Sequence, residues 1–446
     1  MRIGSGAGFG GDRIPPAVDL VEHGRLDALV LECLAERTIA LGQRRRLAHP
    51  DQGYDPRLRA RLRALLPPAV RHGVPLISNM GAANPRAAGA AARETARELG
   101  LDGLRIAVVT GDDVLDRIDL GAPALEDGRP LEEHGPVISA NAYLGAGALL
   151  PALDAGAGLV LTGRVADPSL FLAPLAHRLG WDLDDPARAA AGTLVGHLLE
   201  CAGQITGGYF ADPGHKEVPD LAHLGFPFAE VSAADGSAVI GKLPGTGGLV
   251  SRATVREQLL YEITTPTAYR TPDVVLDLRG VTVEETGRDR VLVRGAAGRP
   301  RPDTLKVSVG YHAGHRAEAE ISYVGPNARA RAELAGRIVA ARLAPAGLRP
   351  RLDLIGSAPL GRPARSGPAA ADDECRLRVA ALTPAPERAE DICHEVEALY
   401  TNGPAGGGGV RTQITDVVGI VSTLLPRDAV TPATEILEAS RACDPA

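Results

Sequence analysis

The chain has 446 residues, 45% apolar and 23% charged, with 48 Lys and Arg against 55 Asp and Glu for a net charge of −7. That aliphatic content offsets chain entropy and excludes long disorder. The length exceeds what one hydrophobic core usually serves, so two or three domains are expected. The acidic balance argues against nucleic acid as the main partner, and no run of 18 apolar residues offers a membrane helix.

The opening Met1-Arg2-Ile3-Gly4-Ser5-Gly6 lacks the apolar stretch of a secretory signal, which predicts a cytoplasmic protein. Five cysteines (33, 201, 375, 393 and 443) show no C-x-x-C spacing, which argues against a disulfide framework or a zinc site. Lysines stand only at 216, 242 and 306 among cations otherwise supplied by Arg.

In chain order, apolar runs at 27–31, 74–78, 104–110 and 158–162 alternate with helix-spaced stretches at 56–70, 85–99 and 142–153. Helices at 166–179 and 186–202 follow. Continuous apolar strands separated by helices predict an α/β fold, an open parallel sheet flanked by helices in the N-terminal half. From 226 the texture turns β-rich, with short segments at 237–243, 273–278, 290–294 and 304–311 and one helix at 254–262. From 315 the order is strand 316–323, helix 328–343, strand 351–355, strand 376–382, helix 386–400 and strand 412–423. That βαββαβ order predicts a ferredoxin-like α+β region. The Pro/Gly/Ala-rich stretch 357–373 reads as an exposed loop. The expected division is therefore 1–225, 226–314 and 315–446.

In open α/β sheets, ligands sit beyond the carboxyl ends of the strands. Small, polar segments follow three of the predicted strands, Ser78-Asn79-Met80-Gly81-Ala82-Ala83-Asn84, Thr110-Gly111-Asp112-Asp113 and Thr162-Gly163-Arg164-Val165-Ala166-Asp167, and a fourth, Ser139-Ala140-Asn141, follows the turn at Gly135-Pro136. Gly permits close backbone approach and helix N-termini offer N–H donors to a carboxylate or phosphate. The plain alternative is capping of the next helix by Asn, Asp, Thr and Ser. Arg164 could fork onto a carboxylate, and Asp167 could act as acid/base; equally, Asp167-Pro168 could open the following helix.

Other candidates are looser. Gly6-x-Gly8-x-x-Gly11 matches the dinucleotide fingerprint formally, with Glu32 about twenty residues on, but Pro15-Pro16 stands where the helix should begin. Gly241-Lys242-Leu243-Pro244-Gly245-Thr246 reads as a phosphate or carboxylate cradle, or as a turn with a solvated lysine. Gln204 and Thr206 could give neutral hydrogen bonds or close a helix. His197 and Glu200 share a helix face and read as a buried pair. His312 and His315 read as exposed residues flanking a β-turn. Asp112, Asp113 and Asp167 could hold Mg²⁺ through oxygens. No Gly-x-Ser-x-Gly elbow is present, so a serine hydrolase is disfavoured.

One set of stretches carries a resemblance. It comprises Leu34-Ala35-Glu36-Arg37-Thr38, Ser78-Asn79 with Asn84-Pro85, Gly111-Asp112-Asp113, Ser139-Ala140-Asn141-Ala142-Tyr143-Leu144-Gly145 and Thr162-Gly163-Arg164-Val165-Ala166-Asp167. Gly196-His197-Leu198-Leu199-Glu200-Cys201, Thr206-Gly207-Gly208, Pro244-Gly245-Thr246-Gly247-Gly248 and Glu257-Gln258-Leu259-Leu260-Tyr261-Glu262 complete it. The set resembles the acyclic terpene utilisation protein A family over 1–330, and the C-terminal region looks like that family's smaller ferredoxin-like part. One departure is 79–84, where a more Gly-rich loop is expected. The resemblance implies a cytosolic bacterial protein encoded beside acyl-CoA carboxylases, dehydrogenases and enoyl-CoA hydratases. It also implies breakdown of methyl-branched acyl chains such as citronellyl or geranyl derivatives.

The expectation is an enzyme acting on a small carboxylate or branched acyl-CoA by a hydratase/dehydratase-type lyase step. Asp167 or Asp112 would move the proton. Arg164, Lys242 and Thr246 would grip the substrate, with Asn79, Asn84 and Asn141 positioning it. Gly81, Gly111, Asp113, Thr162, Gly163, Gln204 and Thr206 would line the site. No redox cofactor is required. A homo-oligomer is expected. The alternatives are a noncatalytic partner of an acyl-CoA carboxylase or another ligand-binding protein, and a nicotinamide-dependent enzyme using 6–11.

Overall fold

In the computed structural model, which describes residues 1–356 and 374–439, the apolar runs of the first half form a parallel sheet. β1 (Arg2–Ala7), β2 (Ala28–Leu31), β3 (Leu76–Ser78), β4 (Arg105–Thr110) and β6 (Leu159–Thr162) stand in the order β1-β2-β3-β6-β4, each parallel to the next. β5 (Val137–Ala142) lies off this run. Every residue of β2, β3 and β6 is buried, as strands covered on both faces require. The predicted loop at 357–373 and Cys443 lie outside the described residues.

The covering helices are α1 (Pro15–His23), α2 (Glu36–Ala48), α3 (Leu58–His72), α4 (Pro85–Glu98), α5 (Leu150–Asp154), α6 (Ser169–Leu179) and α7 (Pro186–Leu199). Leu20, Leu62, Leu66 and Ala92 from the helices pack with Leu29, Leu76 and Leu159 of the strands in one buried cluster. The predicted helix at 142–153 is not formed as one piece. Its start is the end of β5, and only the five residues of α5 are α-helical, with Pro151 in the first turn. A proline lacks the N–H that a longer helix would need at that position.

The β-rich middle extends the same sheet. β7 (Pro227–Val231) and β8 (Ala238–Lys242) pair antiparallel, and β7 pairs antiparallel with β1. β9 (Tyr269–Arg270), β10 (Val275–Asp277) and β13 (Ala297–Arg299) make a small separate sheet, while β11 (Thr282–Gly287) and β12 (Arg290–Arg294) continue outward from β8. Antiparallel pairs close through short turns, here with Gly236 and Asp289 at positive φ. At the opposite edge β18 (Ala433–Glu438) runs antiparallel to β4, giving ten strands. α8 (Arg252–Leu260) begins at Ser251, whose side chain accepts from the Thr254 N–H while Thr254 reciprocates.

The chain divides into two compact units. One holds 1–133, 137–310 and the chain from 420; the other holds His134–Pro136 and Tyr311–Gly419. The second is built from β14 (Thr304–Val324) beyond Gly310, α9 (Ala328–Leu343), β15 (Arg351–Gly356), β16 (Glu374–Thr383), α10 (Pro386–Glu397) and β17 (Gly407–Pro426) up to Gly419. The strands stand in the order β17-β14-β16-β15, with β16 antiparallel to both neighbours. That is the ferredoxin-like order expected from the sequence. Ile321, Tyr323, Val339, Leu377, Ile392 and Val396 form its core. His312 and His315 lie within β14 and are partly buried, not at an exposed turn. Among the described residues no helix is long and apolar enough to cross a membrane.

Candidate functional site

A cavity of about 790 Å³ opens beyond the carboxyl ends of β1, β2 and β6, the edge where open α/β sheets place ligands. Gly8 and Phe9 after β1, Glu32 and Glu36 after β2, and Asp167 after β6 reach it, with His197 and Glu200 from the end of α7. Phe9, Tyr143, Tyr209, Phe226, Tyr261 and Tyr269 line it in a chain that holds only five Phe, eight Tyr and one Trp. Aromatic side chains supply large apolar contact with little rotamer entropy. Three exposed cations, Arg13, Arg270 and Lys306, belong to the same wall.

Arg164 organises the polar end. Its side chain is 1% exposed. Nη1 donates to the Leu34 carbonyl, Nε and Nη2 to the Val165 carbonyl, and Nη2 also to the Asp167 carboxylate. The guanidinium carbon stands 4.6 Å from the centre of the Tyr143 ring, a cation–π distance. With its donors directed to protein acceptors, Arg164 holds the loops and one carboxylate in place; it does not extend toward a substrate.

The carboxylates around it differ in protonation. Burial pushes Asp167 up to about 7, against the lowering pull of Arg164 and with Glu200 and Glu36 adding to the rise. Its side chain keeps 35% of its surface accessible from the cavity. Burial, then the Asp167 charge, pushes Glu32 well above the carboxylate range. Its Oε1 accepts from Asn79 Nδ2 at 2.9 Å and from the Leu34 N–H at 2.7 Å. Glu36 goes the other way. Burial opposes its charge, but the Tyr143 hydroxyl at 2.5 Å, its own backbone N–H, Arg164 and Lys306 hold it down at about 2.

His197 and Glu200 form a buried pair, Nδ1 to Oε1 at 3.0 Å, while His197 Nε2 lies 3.1 Å from the Leu259 carbonyl oxygen. With an acceptor on each ring nitrogen, the imidazolium is the satisfied form. Burial opposes that charge, yet Glu200 and the carbonyl raise the His197 pKa. Glu200 is pushed up by burial against the pull of His197. Its Oε2 is buried and has no hydrogen-bond partner.

The sequence-predicted residues fall into three groups. Asp167 and Gln204 line the cavity, with Gln204 bonded to Tyr261. Arg164 stands behind Asp167, and Asn79 fixes Glu32 while accepting from the Cys33 N–H at 2.7 Å.

A second group braces the loops. Asp112, pushed up by burial to about 6, accepts from the Arg164 N–H at 2.8 Å and from Asn141 Nδ2 at 3.0 Å. Gly163 passes so close that a Cβ would sit 2.4 Å from the Asp112 carboxylate, and one on Gly81 would sit 2.4 Å from the Thr162 carbonyl oxygen. The Thr162 hydroxyl donates to the Gly163 carbonyl.

The remainder serve other parts of the chain. Gly111 packs against the backbone of Thr431, and Asp113 pairs with Arg46 at 3.4 Å. Lys242, buried, donates to the Thr246 carbonyl at 2.8 Å, and the Thr246 hydroxyl donates to the Leu243 carbonyl. The Thr206 hydroxyl is bonded to the carbonyls of Gly203 and Gly225. None of these lines the cavity, so the gripping role expected of Lys242 and Thr246 has no surface there. Asp112, Asp113 and Asp167, weighed as magnesium ligands, each take donors from the protein.

Asn84 is an N-cap: Oδ1 accepts from the Ala87 N–H at 3.3 Å, and Nδ2 donates to the carbonyls of Pro50 and Gln52. Asn84→Ala is expected to lower unfolding free energy by about 1–2 kcal/mol, read from a urea midpoint, with little change in ligand affinity. The Gly6–Gly11 turn is also closed. A Cβ on Gly8 would meet the Cys201 backbone at 2.3 Å, and the N–H groups of Gly8 and Phe9 are given to the Asp12 carboxylate at 2.6 and 3.3 Å. A pyrophosphate would need those same donors.

Glu36, Tyr143, Tyr269 and Lys306 carried no assigned role in the sequence. The signal for the tyrosines and the lysine was scarcity, since Tyr and Lys are rare in this chain, while Glu36 and Tyr143 stand in stretches that carry the family resemblance.

Residues 1–436 match the family described as Acyclic terpene utilisation family protein AtuA. Comparison with curated proteins and with solved structures gave no match.

Proposed function

Because the chain belongs to the acyclic terpene utilisation family AtuA, we propose that it is an enzyme adding or removing water on a methyl-branched acyclic acyl group, carried as a carboxylate or an anionic thioester. The observation that carries this reading is that Asp167, bonded to buried Arg164, and the His197–Glu200 pair line the polar end of one aromatic-lined cavity.

A buried carboxyl that keeps its proton can act as an acid, and one ion-paired with an imidazolium can act as a base. Asp167, near 7, has a proton to give at neutral pH. It would protonate a departing hydroxyl. Glu200, ion-paired with His197, is the carboxylate that would take the α-proton. The C–O bond breaks as the α-C–H electrons form the double bond, and water leaves with the Asp167 proton. Hydration runs the same steps backwards. The aromatic wall suits a branched hydrocarbon chain, and exposed Arg13, Arg270 and Lys306 suit an anionic carrier at the mouth.

The test is incubation with 3-methyl-branched enoyl and 3-hydroxyacyl thioesters, following the conjugated enoyl absorbance. Reversible loss and gain of that absorbance is expected. Saturable binding of the thioesters by calorimetry with no turnover would contradict the enzymatic reading and leave a binding protein.

A further inference from the structure

We infer that His312, His315 and Asp416, in the second compact unit, bind a divalent transition-metal ion of the zinc class. The inference is independent of the cavity and of the reaction proposed for it. One ligand atom from each residue lies within 4.8 Å of the others. The carboxylate Oδ1 of Asp416, on β17, is 2.8 Å from Nδ1 of His315, on the adjacent β14. The two imidazole centres are 5.1 Å apart, at 62°.

A regular strand would not bring these rings together. Side chains alternate across a strand, so positions three apart point to opposite faces. Gly314, between them, adopts φ +109, and a Cβ there would sit 2.3 Å from the Thr383 carbonyl oxygen. Only glycine fits that position. The irregularity it creates re-aims one histidine, as bulges near functional sites commonly do.

The donor set selects the ion. Two nitrogens and one carboxylate oxygen are poor partners for Ca²⁺ or Mg²⁺, which prefer all-oxygen shells, and good ones for Zn²⁺, Co²⁺ or Fe²⁺. Metal bonds of about 2.0–2.1 Å place tetrahedral ligand atoms roughly 3.4 Å apart, so modest side-chain rotations complete the shell. Three protein ligands leave a fourth position for water or another ligand. His315 is 15% exposed and Asp416 51% exposed, which gives an ion a route in from the surface. A bound ion would tie β14 to β17.

The same geometry without metal is a His–Asp hydrogen bond beside a second imidazole, and titration separates the two. The full chain, stripped with a chelator, is titrated with Co²⁺ and then Zn²⁺. One equivalent of Co²⁺ should give ligand-field bands of a four- or five-coordinate nitrogen/oxygen site. Zn²⁺ should displace it and raise the thermal midpoint. Asp416→Asn should weaken binding at least tenfold, and the double variant His312→Gln with His315→Gln should abolish both the bands and the thermal shift. Absence of bands in the wild-type chain would overturn the inference, as would bands that persist in a folded double variant. Asp416→Asn, which leaves both rings in place, decides the case if the double variant does not fold: unchanged affinity overturns the assignment.

Discussion

Asp167→Asn should lower kcat/KM by about 10²–10⁴, the range for loss of a positioned proton donor, with the fold intact because the amide oxygen still accepts from Arg164. The wild-type dehydration profile should fall with rising pH through about 7, where Asp167 gives up its proton. Residual activity of the variant should lack that limb.

The same substitution should move stability with a definite sign. A carboxyl whose folded pKa lies above its ordinary 3.8 contributes stability that is complete below that ordinary value. The contribution is lost as pH rises through about 7. The Asn variant should therefore melt higher than wild type at about pH 8, and the difference should shrink toward pH 5. A variant with full activity, or with a pH-independent change in melting, would remove Asp167 from the reaction.

Arg164→Ala should be the most destabilising single change at the site, lowering unfolding free energy by about 2–5 kcal/mol in a denaturant titration, because buried acceptors left without donors cost about 1–3 kcal/mol each. It strips donors from the Leu34 and Val165 carbonyls and from the Asp167 carboxyl. Arg164→Lys should recover little, since one ammonium cannot span acceptors that a planar fork reaches together. Near-wild-type stability of the alanine variant would show that the guanidinium is not the organising group.

Much of the scaffold was legible from patterns short enough to be local. Apolar runs near 29–31, 76–78 and 159–162 are buried on both faces, and nothing but a covered parallel sheet satisfies that. Residues 328–343 gave a helix to the residue, because helix periodicity persists there without proline. The ferredoxin-like order followed from element order alone. What local patterns could not show is that β7, β8, β11 and β12 join the first sheet: strand pairing across a hundred residues or more leaves no mark in a window of eight.

The site shows the same division. Asp167 was found because it stands in the segment that follows a strand at the ligand-bearing edge, but its neighbour Arg164 was expected to reach outward. A single sequence does not reveal that the Leu34 and Val165 carbonyls stand ready to take its donors. Lys242 and Thr246 looked like a cradle for an anion, yet the lysine serves its own loop's carbonyl. Glu200 and His197 read as a structural pair by their i, i+3 spacing. Only the fold places them against the cavity.

The proposed reaction needs one carboxyl, Asp167, that keeps its proton near neutrality beside a buried guanidinium. Difference ¹³C NMR of aspartate-labelled protein, wild type minus Asp167→Asn, measures that directly. A carboxyl resonance present only in the wild type should titrate with a midpoint near 7. A midpoint below about 5, in the ordinary range for aspartate, would contradict the acid role and with it the proposed reaction.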